Sequence, residues 1–188
     1  MTLRRAGGSV AAFRFGPVFQ LGFVVPDLEA AVDYWTGTIG AGPFFLFSDV
    51  VTANVSYRGS PAGAAISVAF GHWHDMQIEL LTVHDARPNI YREWLDAGHA
   101  GINHYGVIVP DRERARADCH AAGLPIVYEA ETPSASRILY VDTGGGPGSM
   151  IELVELDPAM GPAFDHIRAA ARDWDGGDPL RAMPPQDQ

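Results

Sequence analysis

The sequence predicts an α+β protein built from two copies of a βαβββ unit, and two observations support this. Residues 19–27 (FQLGFVVPD) and 103–111 (NHYGVIVPD) share an apolar run, a Gly at the same place and a closing Val-Pro-Asp. Each copy is followed by a helix-like stretch and then by three extended apolar segments separated by turn residues. We therefore expect two equivalent modules of strand, helix and three strands.

In the first module, an apolar strand is ended by Pro26, and Asp27 is suited to cap the helix LEAAVDYW. That helix should stop near Gly37 or Gly40. The turns that follow, notably RGSPAGA, are typical of hairpin connections. Three strands are expected between them: PFFLFSDVV (43–51), AAISVAF (64–70) and MQIELLTV (76–83).

The second module repeats this order, with Pro110 as the strand breaker, Asp111 as the cap of RERARADCHAAG and Gly123 as the helix stop. Its later strands are expected at PIVYEA (125–130), SRILYVD (136–142) and SMIELVEL (149–156). The predicted organisation has four parts: an N-terminal tail (1–15), a first module with a linker helix (16–101), a second module (102–158), and a C-terminal helix and tail (159–188).

Composition excludes several classes of function. The formal net charge is −10, and all 13 basic residues are Arg, so we expect no nucleic-acid partner and no membrane surface. The absence of Lys excludes a Schiff-base mechanism. The single Cys119 excludes an internal disulfide and suits a reducing cytoplasm. No apolar run is long enough to predict a membrane-spanning helix.

Four polar residues occupy equivalent places in the two modules. Glu79 and Glu152 lie between apolar neighbours in the last strands, and burial of a carboxylate is costly unless it is paired or bound to a cation. Because neighbouring strand residues point to opposite faces, each Glu should face away from a helix-covered core. Gln20 and His104 open the two first strands at matching positions. Two facing sheets would direct all four side chains into one cleft.

These four residues together predict a divalent-metal site. Two carboxylates, one imidazole and one amide oxygen suit Zn²⁺, Ni²⁺, Co²⁺ or Mn²⁺, and they lack the thiolates typical of structural zinc. A single Glu in a strand, or a single His, is more often an ordinary surface or core residue. The repeat-equivalent placement of four such residues is what favours the metal site.

The sequence resembles the vicinal oxygen chelate superfamily, which includes glyoxalase I, methylmalonyl-CoA epimerase and extradiol dioxygenases. The resemblance is carried by FQLGFVVPDLEAAVDYW, IELL, GINHYGVIVPD and MIELVE, and it spans about residues 16–157. It implies a cupped, mostly antiparallel sheet in which two βαβββ modules surround a metal cleft. It also places Gln20, Glu79, His104 and Glu152 on the four ligand positions.

The ligand types favour one chemistry within that superfamily. Gln, Glu, His and Glu are similar to the set of the eukaryotic form of glyoxalase I, whereas the His, His and Glu set of the iron dioxygenases differs at Gln20. The resemblance therefore implies a metal-dependent lyase or isomerase, which we expect to be a cytoplasmic homodimer. Glu152 is the first candidate for its general base and Glu79 the second. Two alternatives stay open: a non-catalytic binding protein of the bleomycin-resistance kind, and an iron-dependent ring-cleaving dioxygenase.

The strand aromatics give some information on the substrate. Phe45, Phe47, Trp73 and Tyr105 lie on strands that could line the cleft, which would suit a largely apolar or aromatic small molecule, or an acyl thioester. The GHWHD turn (71–75) could be a second metal site or a proton relay, although exposed turn histidines are the more ordinary interpretation. The C-terminal helix should pack on the body of the protein or on a partner subunit, and a substrate lid is the alternative.

Overall fold

In the computed structural model, residues 14–183 are described, so nearly all of the predicted N-terminal tail and the last five residues lie outside the described range. Among the described residues, no helix is long and apolar enough to cross a membrane. The α-helices are α1 (Leu28–Tyr34), α2 (Ile90–Asp96), α3 (Arg112–Ala121) and α4 (Met160–Ala171). The strands are β1 (Val18–Val24), β2 (Phe44–Val51), β3 (Ala53–Tyr57), β4 (Ser60–Pro61), β5 (Ala65–Trp73), β6 (Met76–Val83), β7 (Gly101–Ile108), β8 (Ile126–Glu131), β9 (Arg137–Val141), β10 (Met150–Glu155) and β11 (Leu180–Ala182).

The eleven strands form one sheet in the order β11-β2-β5-β6-β1-β7-β10-β9-β8-β3-β4. Each module contributes the same internal order, with its first strand parallel to its last and the other pairs antiparallel. The two modules join where β1 pairs antiparallel with β7. The predicted α+β fold, with two βαβββ modules in a mostly antiparallel sheet, is confirmed, and the modules pair within one chain.

The sheet is cupped because its two outer edges come together. Only Thr52 separates β2, at the outer edge of the first module, from β3. Strand β3 nevertheless pairs with β8, the outer edge of the second module. Since one residue cannot cross an open sheet, the sheet must curve until these edges are neighbours.

Two helices cover the convex face of this sheet. Helix α1 begins at the cap Asp27, whose carboxylate accepts from the backbone N–H of Ala30 at 3.0 Å, and a π-helical turn continues it to Gly40, where φ is +77°. Helix α3 begins at the cap Asp111 in the same way. Apolar residues of α1 pack on β5 and β6, and those of α3 pack on β7, β9 and β10.

The concave face holds a separate core and the two remaining helices. Tyr91 and Trp94 of α2 pack there against apolar side chains of both modules, including Val24 and Tyr140. Helix α4 packs against β5, and its Phe164 ring lies 5.5 Å from the ring of Phe70. The linker helix and the C-terminal helix therefore both lie on the side of the sheet toward which Glu79 and Glu152 were predicted to point.

Two predictions of connecting segments need correction. The segment around RGSPAGA, predicted as a hairpin connection, is itself part of the β3–β4 hairpin and adds strands to the second module. The end of the predicted C-terminal tail contains β11, which pairs parallel with β2 at Phe44–Leu46. Strands β3 and β11 pair with the distant strands β8 and β2, and a local sequence pattern cannot indicate such partners.

Candidate metal centre

Strand alternation directs the two predicted glutamates onto the concave face. Glu79 lies between Ile78 and Leu80, which are fully buried beneath α1. Glu152 lies beside Leu153, which is buried beneath α3. Each carboxylate therefore points away from its own helix-covered core, toward the space between the modules.

Three of the four predicted ligands are in contact on this face. His104 Nε2 lies 3.0 Å from Glu79 Oε2 and 3.6 Å from Glu152 Oε2. One ligand atom from each of the three residues lies within 4.8 Å of the others. His104 is fully buried, and the two glutamates are 7% and 6% exposed. The group therefore forms a compact, nearly dry cluster of two carboxylates and an imidazole.

The repeated glycine in each first strand makes room for the polar residue of the other module. In the β1–β7 pair, Gly22 lies opposite His104, and Gly106 lies opposite Gln20. A Cβ on Gly22 would lie 1.9 Å from Cε1 of His104, and a Cβ on Gly106 would lie 2.8 Å from Oε1 of Gln20. Each side chain thus occupies the volume that a larger residue in the opposing strand would fill.

Gln20, the fourth predicted ligand, presents an unpartnered oxygen. Its Nε2 donates to Oε1 of the buried Gln77 at 2.8 Å, which fixes the orientation of the amide. Its own Oε1 is buried and has no hydrogen-bond partner among residues 14–183. A buried acceptor without a partner is costly, so this oxygen is suited to a ligand that supplies positive charge. Gln20 lines the same cavity as Glu79 and Glu152.

Further buried polar groups surround the cluster. Asn103 Oδ1 lies 3.3 Å from Nδ1 of His104, so it can accept a hydrogen bond from that nitrogen and orient the ring with Nε2 toward the carboxylates. Tyr140 hydrogen-bonds Glu152, and its ring meets the His104 ring edge-on at 4.9 Å. The Tyr140 hydroxyl in turn lies 3.1 Å from that of Tyr91 on α2.

The charges in the cluster are strongly coupled. Burial raises the pKa of Glu152 to about 7; His104 opposes that rise and Glu79 adds to it. Burial works against protonation of His104, but Glu152 and Glu79 outweigh it and raise the pKa of His104 above its ordinary value. Burial also raises the pKa of both Tyr91 and Tyr140 well above the usual range, so both hydroxyls keep their protons at neutral pH.

These groups fit a divalent cation. With both glutamates ionised and His104 protonated, the buried cluster carries a net charge of about −1, which is costly in a dry site. The charge of a dication is neutralised by the two carboxylates, with a neutral imidazole as the third ligand. The unpartnered oxygen of Gln20 offers a fourth, uncharged ligand atom. The side chains that would hold such an ion are Gln20, Glu79, His104 and Glu152.

A cavity of about 230 Å³ opens beside the cluster. Gln20, Glu79 and Glu152 form part of its wall, whereas the fully buried His104 does not. Most of the remaining lining is apolar: Phe19, Phe47, Val50, Ile66, Val68, Phe70, Leu81, Pro133, Ile138, Val154, Leu156, Met160 and Phe164. The described lining residues include no Arg or His.

Of the four aromatics predicted to line the cleft, Phe47 does so. Phe45 shares its face but lies beneath α4, 5.2 Å from the ring of His166. Trp73 is 46% exposed and packs against Trp35 on the convex side. Tyr105 follows His104 and so points to the opposite face of β7. Phe45, Trp73 and Tyr105 therefore lie outside the lining of this cavity.

The histidines of the GHWHD turn do not form a second metal cluster within residues 14–183. His72 is 7% exposed, and its Nδ1 has no hydrogen-bond partner in the described part of the chain. Burial together with the charge of Arg168 lowers the pKa of His72. His74 has a positive φ of 55° at the tip of the β5–β6 turn. Both residues lie in a separate polar pocket near the end of α4.

The side chains that hydrogen-bond to the cluster residues were not predicted from the sequence. Gln77 stands one residue before Ile78 on the same strand as Glu79, so strand alternation, once the repeat is recognised, places it on the concave face. Tyr140 lies directly opposite Glu152 in the β9–β10 pair, and only that register indicates the contact. Tyr91 comes from the linker helix α2, and no local sequence pattern predicts that this helix packs against the concave face of the sheet.

The chain is similar to known proteins of the same architecture. It matches the model of the glyoxalase/bleomycin resistance protein/dioxygenase superfamily over residues 19–141. No curated protein matches it. A hypothetical protein from Bacillus halodurans C-125 superposes with a TM-score of 0.54 at 14% identity, covering 73% of this chain and 92% of that one. A methylmalonyl-CoA epimerase from Mycobacterium tuberculosis gives a TM-score of 0.52 at 21% identity, covering 76% of this chain and 89% of that one.

At these identities the structural likeness shows the fold alone. The family match spans both first strands, Glu79 and the greater part of the second module. Together with the duplicated modules and the buried cluster, this match identifies the family of the chain. The protein belongs to the glyoxalase/bleomycin resistance protein/dioxygenase superfamily.

Proposed function

We propose that this chain is a metal-dependent isomerase or lyase of the glyoxalase type, which moves a proton next to a carbonyl group. The observation that carries the proposal is the meeting of Glu79, His104 and Glu152 within 4.8 Å, with both carboxylates in the wall of an apolar cavity. The substrate would be a largely apolar or aromatic carbonyl compound, or the acyl part of a thioester.

The four predicted ligands take different roles in this proposal. Zn²⁺, Ni²⁺, Co²⁺ or Mn²⁺ held there would supply Lewis-acid polarisation of the carbonyl oxygen, which acidifies the adjacent C–H. His104 is fully buried and outside the cavity wall, so it would hold the ion without touching the substrate. Gln20 would do so through its unpartnered oxygen.

Glu152 is the preferred general base and Glu79 the second choice. Both carboxylates line the cavity, so both can reach a bound substrate. Tyr140 hydrogen-bonds Glu152, and in this proposal Glu152 takes a proton from the C–H and returns it to the neighbouring carbon. Glu79 instead makes the shorter contact with His104.

Metal analysis of the full chain purified without chelator separates the proposal from its alternatives. Bound Zn, Ni, Co or Mn supports the lyase or isomerase. Iron supports a ring-cleaving dioxygenase, and failure to bind any of these ions supports a non-catalytic binding protein.

Solvent exchange tests the base directly. In D₂O, the metal-loaded protein should exchange the C–H of a phenyl α-hydroxy ketone, and Glu152→Gln should slow this by about 100-fold or more. Glu155→Gln is the matched control, because Glu155 lies on the same strand but pairs with Arg137 outside the cavity. Unchanged exchange by a folded Glu152→Gln protein would remove Glu152 from this role.

A further inference from the structure

Helix α4 lies outside the two repeated modules, yet it completes the cavity beside the metal cluster. The family match ends at residue 141, before α4 begins at Met160. Met160 and Phe164 nevertheless form part of the cavity wall. The Phe164 ring lies 5.5 Å from that of Phe70, which lies 5.6 Å from that of Phe47. A continuous aromatic wall thus joins α4 to the first module.

The helix is anchored along its length. Ala163 and Ile167 are 3% and 0% exposed against the body of the protein. After the helix, β11 pairs with β2, so the chain on the far side of α4 is tied to the sheet. A wall fixed by core packing and by strand pairing cannot yield to a larger ligand without a cost, so its side chains set the shape of the cavity.

The lining also restricts the charge of the ligand. It contains two carboxylates and, among the described residues, no Arg or His. An anionic group in the apolar part of the cavity, away from the proposed ion, would be desolvated and would find no cationic side chain in the described lining. An apolar cavity of ~150 Å³ holds benzene, and this one measures about 230 Å³. The space therefore suits an uncharged body of about two fused rings.

We propose that α4 is the substrate-selecting wall, that the cavity takes an uncharged apolar body of about two fused rings, and that Phe164 sets the size limit. The identity of the reacting carbonyl rests on the proposed function, whereas the choice of size and charge does not. A phosphate-bearing carrier would have to remain outside the cavity.

The test is direct binding of four α-hydroxy ketones to the full chain by calorimetry, with and without Zn²⁺. Three carry a phenyl, a naphthyl or an anthracenyl group, and the fourth carries a 4-carboxyphenyl group. The naphthyl compound should bind about tenfold more tightly than the phenyl one, because the second ring buries more apolar surface. The anthracenyl compound should bind at least tenfold more weakly than the naphthyl one, and the carboxyphenyl compound at least tenfold more weakly than the phenyl one.

Removing the Phe164 ring should shift this preference toward the larger ligand. Phe164→Ala should improve anthracenyl binding by at least tenfold, and the milder Phe164→Leu should act in the same direction if the Ala variant is unstable. His166→Ala is the control, since His166 lies on α4 but outside the lining. An unchanged order of affinities in both Phe164 variants, or equal binding of the carboxyphenyl and phenyl compounds, would overturn the inference.

Failure of this inference differs from failure of the proposed function. If ligand size selection depends on Phe164 but no compound undergoes C–H exchange, the inference stands and the proposed chemistry is rejected. Exchange that is insensitive to ring number and to Phe164 keeps the chemistry and rejects the selecting wall.

Discussion

Substitution of Gly22 by Ala should disable the proposed metal centre by adding a single methyl group. The new Cβ would lie 1.9 Å from Cε1, 2.1 Å from Nε2 and 2.5 Å from Nδ1 of His104. Ordinary contact between such atoms is ~3.5 Å, so the ring would have to move by about 1.5 Å. His104 is fully buried with the Tyr140 ring 4.9 Å away, so no solvent-filled space is available to it.

This clash should reduce both the stability of the fold and the affinity for the metal ion. Overpacking a core costs about 1–3 kcal/mol, which lowers the Tm of a chain of this size by about 2–12 °C. Metal–nitrogen distances tolerate about 0.2 Å, so a shift of about 1.5 Å removes His104 from the ligand set. Loss of an outer partner of a ligand already costs about 10–100-fold in affinity, and loss of the ligand itself should cost at least 100-fold.

Zn²⁺ affinity measured by calorimetry, together with thermal unfolding, checks both magnitudes. Gly37→Ala is the neutral control, because its Cβ would have no neighbour within 4 Å. Gly106→Ala should have a smaller effect, since its nearest contact is Oε1 of Gln20 at 2.8 Å, a milder clash than the 1.9 Å contact at Gly22. A folded Gly22→Ala protein that binds Zn²⁺ within about threefold of the unmodified chain would refute the placement of His104 over Gly22.

Three further predictions concern the surroundings of the centre. Gln77→Leu leaves the buried Nε2 of Gln20 without its acceptor, so it should cost about 1–3 kcal/mol of stability and about 10–100-fold in metal affinity, measured by unfolding and calorimetry. Hydrogen bonding to Arg137 lowers the pKa of Glu155, so its stabilisation is present above the ordinary Glu pKa and is lost as the pH falls through the lowered pKa. The Tm deficit of Glu155→Gln should therefore be clear at neutral pH and shrink as the pH is lowered below the ordinary Glu pKa. Burial raises the pKa of the Cys119 thiol, so a disulfide reagent at pH 8 should label it slowly in the folded chain and rapidly in urea.

The sequence predicted those parts of the fold and site that depend on local periodicity and on the repeat. Alternation within MQIELL and SMIELV directed Glu79 and Glu152 away from the helices, and the repeat gave the equivalent places of Gln20 and His104. These inferences need no knowledge of which strands pair, because a strand has only two faces.

The rest depends on contacts between distant segments. The β3–β4 hairpin can be recognised only once its partner β8 is known. The cavity lining likewise depends on α4, which covers Phe45 but leaves Phe47 in contact with the cavity. Alternation assigns both of these aromatics to the same face. It cannot say which part of that face a later helix will occupy.

The paired glycines explain why the two first strands share more than their apolar pattern. Neither Gly22 nor Gly106 has a positive φ, so backbone conformation does not require Gly at either place. What each supplies is an absent side chain: because β1 and β7 are antiparallel, the polar residue of one strand lies opposite the glycine of the other. Each module therefore provides one polar group and the space for the other module's group. A larger residue at Gly22 would displace His104 of the second module, and a larger residue at Gly106 would displace Gln20 of the first. Each glycine is therefore required by a side chain of the other module.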